Sequence, residues 1–417
     1  MDYSILFLIL AVLLCFFMTW GVGANDLANV MSTTMGSKAV TVKQAMLIAV
    51  IFEFAGAFFG GTGVTETMRD GIINTTELSQ QPLILIEGML GILLACTIWM
   101  NLASYLGVPV SITNALVGSM VGFGSVVLGT DAIEWSQVYR IAIGWVTSPM
   151  ISGITAYILF ITIQQSIFAR SDPLEKAKLY IPIYLFLVGS ILSFITVFKG
   201  LSHFDIHLNL KQNIATTLAS SIIITIVGIL FIRRIPEKHG MKRRERFLQV
   251  EKYFAVLMAM TACAMVFAHG SNDVALAVGP LSIVYSLVMH PHQPFGAMDY
   301  PAWIVLLGCV GVISGLLMYG RKVIETVGSS ITALTPSRAF AATLAAATSV
   351  VVATSMGIPV SATQTLVGAV LGVGLARGIG ALNLIVIRNI FTSWILTLPA
   401  ASLLSILSYK VLHACIG

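Results

Sequence analysis

Charge is scarce in this 417-residue chain: 10% of its residues are Asp, Glu, Lys or Arg, against 57% hydrophobic, and its mean hydropathy is +0.93. A soluble domain needs a charged surface, and so thin a supply excludes one. Cysteine is scarcer still. Cys15, Cys96, Cys263, Cys309 and Cys415 each stand alone in apolar sequence, without the CxxC spacing of a zinc or redox site or the density of a disulfide framework. No Walker motif, Ser-His-Asp arrangement or HExxH occurs, so ATP coupling and hydrolysis lack support. The net charge of +5 sits in segments flanking apolar runs, which is no footprint for nucleic acid. The expectation is an all-α polytopic membrane protein, not an enzyme, with no cofactor.

Long uncharged runs are what the chain does have. A crossing takes about 20 apolar residues, and the pattern predicts spans near 4–33, 44–61, 83–105, 111–130, 137–167, 179–198 and 213–232, then 253–285, 302–319, 339–356, 360–377 and 383–412. That makes 12 transmembrane segments. The first run has no basic stretch ahead of it and leads directly into a polar motif, so it reads as a retained helix rather than a signal peptide. The uncharged stretches 88–130 and 339–376 are too long for one span, and each is interrupted by Gly-x-Pro-Val-Ser-x-Thr. Two helical segments meeting at a polar break are expected in each, as full spans or as re-entrant arms.

Both polar motifs occur twice. Gly23-Ala-Asn-Asp-Leu-Ala-Asn29 returns as Gly270-Ser-Asn-Asp-Val-Ala-Leu276, and Gly107-Val-Pro-Val-Ser-Ile-Thr-Asn114 returns as Gly357-Ile-Pro-Val-Ser-Ala-Thr-Gln364. Residues 1–168 and 253–417 therefore form two related repeats, joined by 169–252. The basic segment 233–252 is placed in the cytoplasm by the positive-inside rule, and the acidic loops with Glu66, Arg69, Asp70 and Glu77, and with Asp131 and Glu134, are placed outside. Both termini then lie outside, and the repeats enter the membrane from opposite faces. That is an inverted-topology repeat, whose site is expected at the interface of the halves.

The motifs suggest ion chemistry. An Asp at the centre of a spanning helix costs roughly 2.5 to 3.5 kcal/mol on insertion scales, so Asp26 and Asp273 need compensation. Gly21, Gly23 and Gly270 would let their helices unwind and expose carbonyls. Asn25, Asp26, Asn29, Ser271, Asn272 and Asp273 are the candidate cation ligands. Asn25, Asp26, Asn272 and Asp273 suit Na+, while Asp alone could carry H+. The structural alternative is helix capping or a helix-helix hydrogen bond. At the Pro-Val-Ser breaks a new helix begins, and its free amides and hydroxyls make an anion site. Ser111, Thr113, Asn114, Ser361, Thr363 and Gln364 are the candidate anion ligands, with capping and small-residue packing as the alternative. Glu53 and Glu87 lie in apolar helices, either lining a pathway or pairing with an arginine such as Arg140 or Arg388. His269 is either a proton relay or a packing residue. Gly118-x3-Gly122 and Gly368-x3-Gly372 read as close-packing surfaces, and His203, His207, His290 and His292 fall in loops without metal-site spacing.

The duplicated Gly-x-Asn-Asp and Pro-Val-Ser-x-Thr motifs resemble those of the inorganic phosphate transporter family, over nearly the whole chain. The resemblance implies cation-coupled symport of inorganic phosphate with Na+ or H+, inverted repeats, a homodimer in the plasma (inner) membrane, and Asn25, Asp26, Asn272 and Asp273 in the signature positions. Sulfate uptake by a permease of the same family is the alternative, and an anion channel a more distant one. One departure stands out: Leu276 occupies the position opposite Asn29.

Overall fold

The computed structural model describes residues 4–60, 64–65, 67, 71–73, 82–200, 208–237, 240–290 and 301–416. Glu66, Arg69, Asp70, Glu77, His203, His207 and His292 lie outside them. The described chain is helical apart from short turns and one isolated bridge. In order come α1 (Ser4–Val22), α2 (Ala28–Gly36), α3 (Val42–Gly60), α4 (Pro82–Leu106), α5 (Ile112–Phe123), α6 (Trp135–Ile163), α7 (Pro173–Ile195) and α8 (Leu210–Arg233). There follow α9 (Arg243–His269), α10 (Ala275–Met289), α11 (Ala302–Tyr319), α12 (Arg321–Ser330), α13 (Pro336–Ser355), α14 (Ala362–Ala376) and α15 (Leu384–Ile416).

Among the described residues, 10 helices are long and apolar enough to cross a membrane. The segments expected as crossings near 111–130 and 360–377 are shorter apolar helices, Ile112–Leu128 and Ala362–Ala376. Their shortness follows from the Gly-x-Pro-Val-Ser breaks. Gly107 and Gly357 each take a φ of 70°, the left-handed geometry that closes a helix at its C′ position. The next amides, Val108 and Ile358, donate back five residues to the Ala103 and Ala353 carbonyls at 3.0 Å. Proline then bars continuation, and Ser111 and Ser361 cap the following helices by accepting from the amides of Asn114 (3.3 Å) and Gln364 (3.1 Å). Five residues thus encode stop, turn and start.

Each break makes a helical hairpin whose two ends are tied together. Ile73 bridges Ile133, and the Glu134 amide donates to the Ile72 carbonyl, closing the mouth of α4–α5. At the mouth of α13–α14, the Asn383 amide donates to the Ile331 carbonyl. The hairpins pack across the halves rather than within them. A Cβ at Gly118 would press on the Leu398 carbonyl of α15, and one at Gly368 would overlap the Pro149 carbonyl of α6. The two Gly-x3-Gly runs are therefore close-packing surfaces, as their spacing predicts.

The expected unwinding at the Asn-Asp motifs does not occur. α1 runs on into α2, and α9 into α10, through one π-helical turn each, Gly23–Leu27 and Gly270–Val274. Such bulges widen a helix without opening it and recur at functional positions. The glycines serve close approach instead: a Cβ on Gly23 would overlap the Val312 carbonyl of α11, and one on Gly270 the Glu53 carbonyl of α3. The arginine partners expected for the buried carboxylates are also replaced. Glu53 lies against His269, and Glu87 against His413 at 2.9 Å. A histidine from a neighbouring helix reaches each carboxylate without a long charged side chain having to be buried.

Candidate functional site

The two π turns and the two hairpin tips meet in the interior. No candidate ligand there is more than 3% exposed. Asn25 clamps the first tip: its side-chain oxygen accepts from the Val110 amide at 3.0 Å and its Nδ2 donates to the Val108 carbonyl at 3.0 Å. Asn272 does the same to the second, accepting from the Val360 amide at 3.4 Å and donating to the Val360 carbonyl at 2.8 Å. Tip backbone freed from helix pairing thus finds partners in side-chain amides, as buried peptide groups require. Each asparagine thereby staples a break. Asn25→Ala and Asn272→Ala each remove two such bonds, and a loss of about 1 to 3 kcal/mol per variant is expected from their usual net worth; thermal melts in detergent, compared with the wild type, measure it.

Asp26 joins the halves. One oxygen accepts from the Ile112 amide at 3.1 Å, at the N-terminus of α5, and the other from the Thr363 hydroxyl at 2.6 Å, on α14 of the opposite half. A carboxylate at a helix N-terminus is favoured by the free amides and the helix dipole. Asn29 Nδ2 reaches the Thr363 carbonyl at 3.4 Å, and its oxygen is buried with no hydrogen-bond partner. The tips also touch directly, through the Thr113 hydroxyl donating to the Val360 carbonyl at 3.1 Å.

Asp273 is held differently. Asn272 Nδ2 donates to it, and His269 Nε2 lies 3.1 Å from its other oxygen, off the hydrogen-bonding direction. His269 Nδ1 is 2.8 Å from Glu53 Oε1, so one imidazole stands between two buried carboxylates. The matching position in the first half is Val22, and Leu276 stands where Asn29 would be matched. Oxygen ligands dominate around Asp26, and a titratable row around Asp273.

The Ser111 and Ser361 hydroxyls accept as caps, which leaves their protons without an acceptor among the described residues. The amides of Ser361, Ala362 and Thr363 likewise have no acceptor there, whereas Asp26 takes the α5 terminus. Ser271 is not brought in: its hydroxyl donates to the Ala268 carbonyl of its own helix at 2.8 Å. Asn114 and Gln364 share no hydrogen bond with the Asp cluster. Their side-chain oxygens are unpartnered, and both residues line a mainly apolar cavity of about 700 Å³ with Trp145 and Trp394, whose indole nitrogens are also unpartnered. The pairing of Glu53 with His269, from helices far apart in sequence, is what residue-by-residue reading missed; the signals were a lone glutamate in an apolar helix and a histidine four residues before an aspartate.

An all-helical membrane protein that gathers carboxylates, amides and helix N-termini at its core has the build of a membrane transport protein. The chain belongs to the phosphate transporter family, whose pattern matches residues 22–405. It is 44% identical over 401 residues to a Haemophilus influenzae protein named "Putative phosphate permease", covering 95% of this chain and 94% of that one. To the chloroplastic inorganic phosphate transporter 2-1 of Arabidopsis thaliana it is 36% identical, over 94% of this chain and 70% of the other. Among solved structures it resembles one named "The sodium-dependent phosphate transporter", with a TM-score of 0.86 and 34% identity, covering 98% of this chain and 99% of that one.

Proposed function

We propose that the protein is a secondary carrier importing inorganic phosphate together with a cation, at a site shared by the two hairpin tips. The observation that carries this reading is the Asp26 carboxylate, bonded at once to the α5 terminus of its own half and to Thr363 of the other. Phosphate sits at the open α14 terminus, on the free amides of Ser361, Ala362 and Thr363 and the hydroxyls of Ser111 and Ser361. Two carboxylates and a phosphate in one buried space repel each other and have lost hydration. A cation beside Asp26 offsets that cost. Sodium takes Asp26 and the unpartnered oxygen of Asn29, with the Thr363 carbonyl close by; the solved relative is itself named as sodium-dependent. A half-loaded site resists closure, and occupancy thereby biases the exchange between states.

The hairpin mouths support inverted repeats. Asp131 and Glu134 lie beside the mouth of α4–α5, and Arg338 and Arg377 beside that of α13–α14. By the positive-inside rule these mouths open to the outside and the cytoplasm respectively, so both hairpins are re-entrant and eight crossings remain. The termini stay external and the 233–252 segment cytoplasmic, in the plasma membrane. Pairing of two copies rests on the resemblance alone.

The Glu53–His269–Asp273 row favours a second reading, in which a proton is the coupling ion. His269→Gln separates the two: sodium-driven uptake at neutral pH is expected to stay within about threefold of wild type, a change of roughly 0.6 kcal/mol, while any proton-driven component is lost. Uptake of labelled phosphate into proteoliposomes tests the function itself. Accumulation under an imposed sodium gradient, resistant to excess sulfate, is expected. Gradient-independent entry would indicate a channel, and displacement by equimolar sulfate would point to the sulfate alternative.

A further inference from the structure

A second oxyanion position lies outside the core. At the mouth of the α13–α14 hairpin, Arg338, in the first turn of α13, and Arg377, directly after α14, both aim Nη1 at one oxygen, the Ala333 carbonyl, at 3.0 and 3.2 Å. Arg377 Nη1 also donates to the Thr332 hydroxyl at 2.8 Å. Two guanidiniums brought to one atom repel each other, and the Arg377 charge bears directly on Arg338. Neither forms an ion pair among the described residues. Glu251 is the carboxylate near Arg338, and its oxygens accept from the Ser337 amide at 2.9 Å and the Ser337 hydroxyl at 2.8 Å rather than from the guanidinium. Each guanidinium carries five N–H groups in a planar fork, and most of these are unused here. Thr332 and Ala333, the residues the arginines bond, line an open cavity of about 570 Å³ together with Gly380 and Asn383.

We propose that Arg338 and Arg377 form a clamp for a phosphate group, either free inorganic phosphate or the phosphodiester of a lipid headgroup, bridging the start and the end of the hairpin. Besides the Nη1 atoms that share the Ala333 carbonyl, the unused N–H groups of two planar forks can each grip an edge of a tetrahedral oxyanion, which a point charge such as chloride does not offer. Both arginines flank the element that carries the second tip, so an anion held there ties its two arms together. The clamp is independent of the assignment of the central site.

Equilibrium binding of labelled phosphate to the purified full-length protein, in choline chloride with a fixed sodium concentration, tests it. The expected stoichiometry is two phosphates per chain, falling to one in Arg338→Gln/Arg377→Gln and to one, of the other class, in Ser111→Ala/Ser361→Ala, which removes both hydroxyls offered to the central phosphate. Raising choline chloride from 50 to 500 mM, roughly a threefold shortening of the screening length, is expected to weaken the arginine class about tenfold and the central class little. In nanodiscs the lipid arm is read separately. If a headgroup is the occupant, phosphatidylglycerol abolishes the second class relative to phosphatidylcholine, and the double variant loses its preference for phosphatidylglycerol. Equal phosphate stoichiometry and equal lipid preference in wild type and double variant would overturn the clamp. Two classes persisting in Ser111→Ala/Ser361→Ala would count against the central site instead. Should the double variant not fold, Arg377→Lys keeps the charge and loses the fork; an unchanged second class there would overturn the bidentate clamp.

Discussion

Asp26→Asn is expected to yield a folded protein whose sodium-driven phosphate uptake falls about 10- to 150-fold. The carboxamide is close in shape, and its oxygen can still accept from the Ile112 amide or the Thr363 hydroxyl, but not with the strength of a charged acceptor. Hydrogen bonds to charged groups are worth about 1.5 to 3 kcal/mol, and each 1.4 kcal/mol is tenfold. The larger loss is functional. Without its negative charge the site no longer attracts the cation whose presence makes phosphate tolerable, so coupling fails even where phosphate still enters. Parallel proteoliposome uptake with and without the gradient reads both quantities. Uptake at the wild-type rate, with the same gradient dependence, would remove Asp26 from the mechanism.

Gly23→Ala is expected to have the largest effect on folding. The added methyl would occupy the space of the Val312 carbonyl oxygen, and α11 cannot retreat without disturbing its packing along α1 and the first π turn. Overpacking a core costs about 1 to 3 kcal/mol where side chains can give. Here the obstacle is backbone, and a loss above about 3 kcal/mol is expected. Gly270→Ala meets the Glu53 carbonyl in the same manner and also displaces the helix that carries Glu53 towards His269. Yield of monodisperse protein and melting temperature, compared with Gly107→Ala at a left-handed φ of 70°, measure the difference. Wild-type stability in Gly23→Ala would show that α1 and α11 are not packed backbone to backbone.

Much of this structure is legible in residue order because local rules govern it. The Gly-x-Pro-Val-Ser breaks follow from a left-handed glycine, a proline and a serine cap, each acting within a few residues, so the position of both tips is readable from the sequence. Depth is not. Whether α5 and α14 are full crossings depends on what their tips meet, here Asn25, Asp26 and Asn272 on other helices, and apolar length alone cannot report that. The Asn-Asp motif misleads for a related reason. A glycine next to a polar pair looks like a hinge, yet Gly23 and Gly270 are small because another helix backbone lies against them, a contact set by residues hundreds of positions away.

The candidate ligands divide along the same line. Asp26 and Thr363 are both legible by residue type, but their contact joins opposite halves and is visible only in three dimensions. The Asn-Asp and Ser/Thr groups, read separately in the sequence, are joined in the structure, since Asp26 accepts from both the Ile112 amide and the Thr363 hydroxyl. Asn25 and Asn272 are committed to the tips by their short side chains and two-sided hydrogen bonding. His269 and Leu276 break the repeat in the second copy, and with them the chemistry of the two carboxylates diverges.

Phosphate affinity measured as a function of sodium concentration, at fixed pH and constant ionic strength, probes the shared site most directly, because binding linkage is reciprocal. The phosphate Kd of the wild type is expected to tighten by about tenfold or more as sodium rises, a coupling of roughly 1.4 kcal/mol, and to become insensitive to sodium in Asp26→Asn. A wild-type Kd that stays constant across the sodium series would contradict a cation and a phosphate meeting at the hairpin tips.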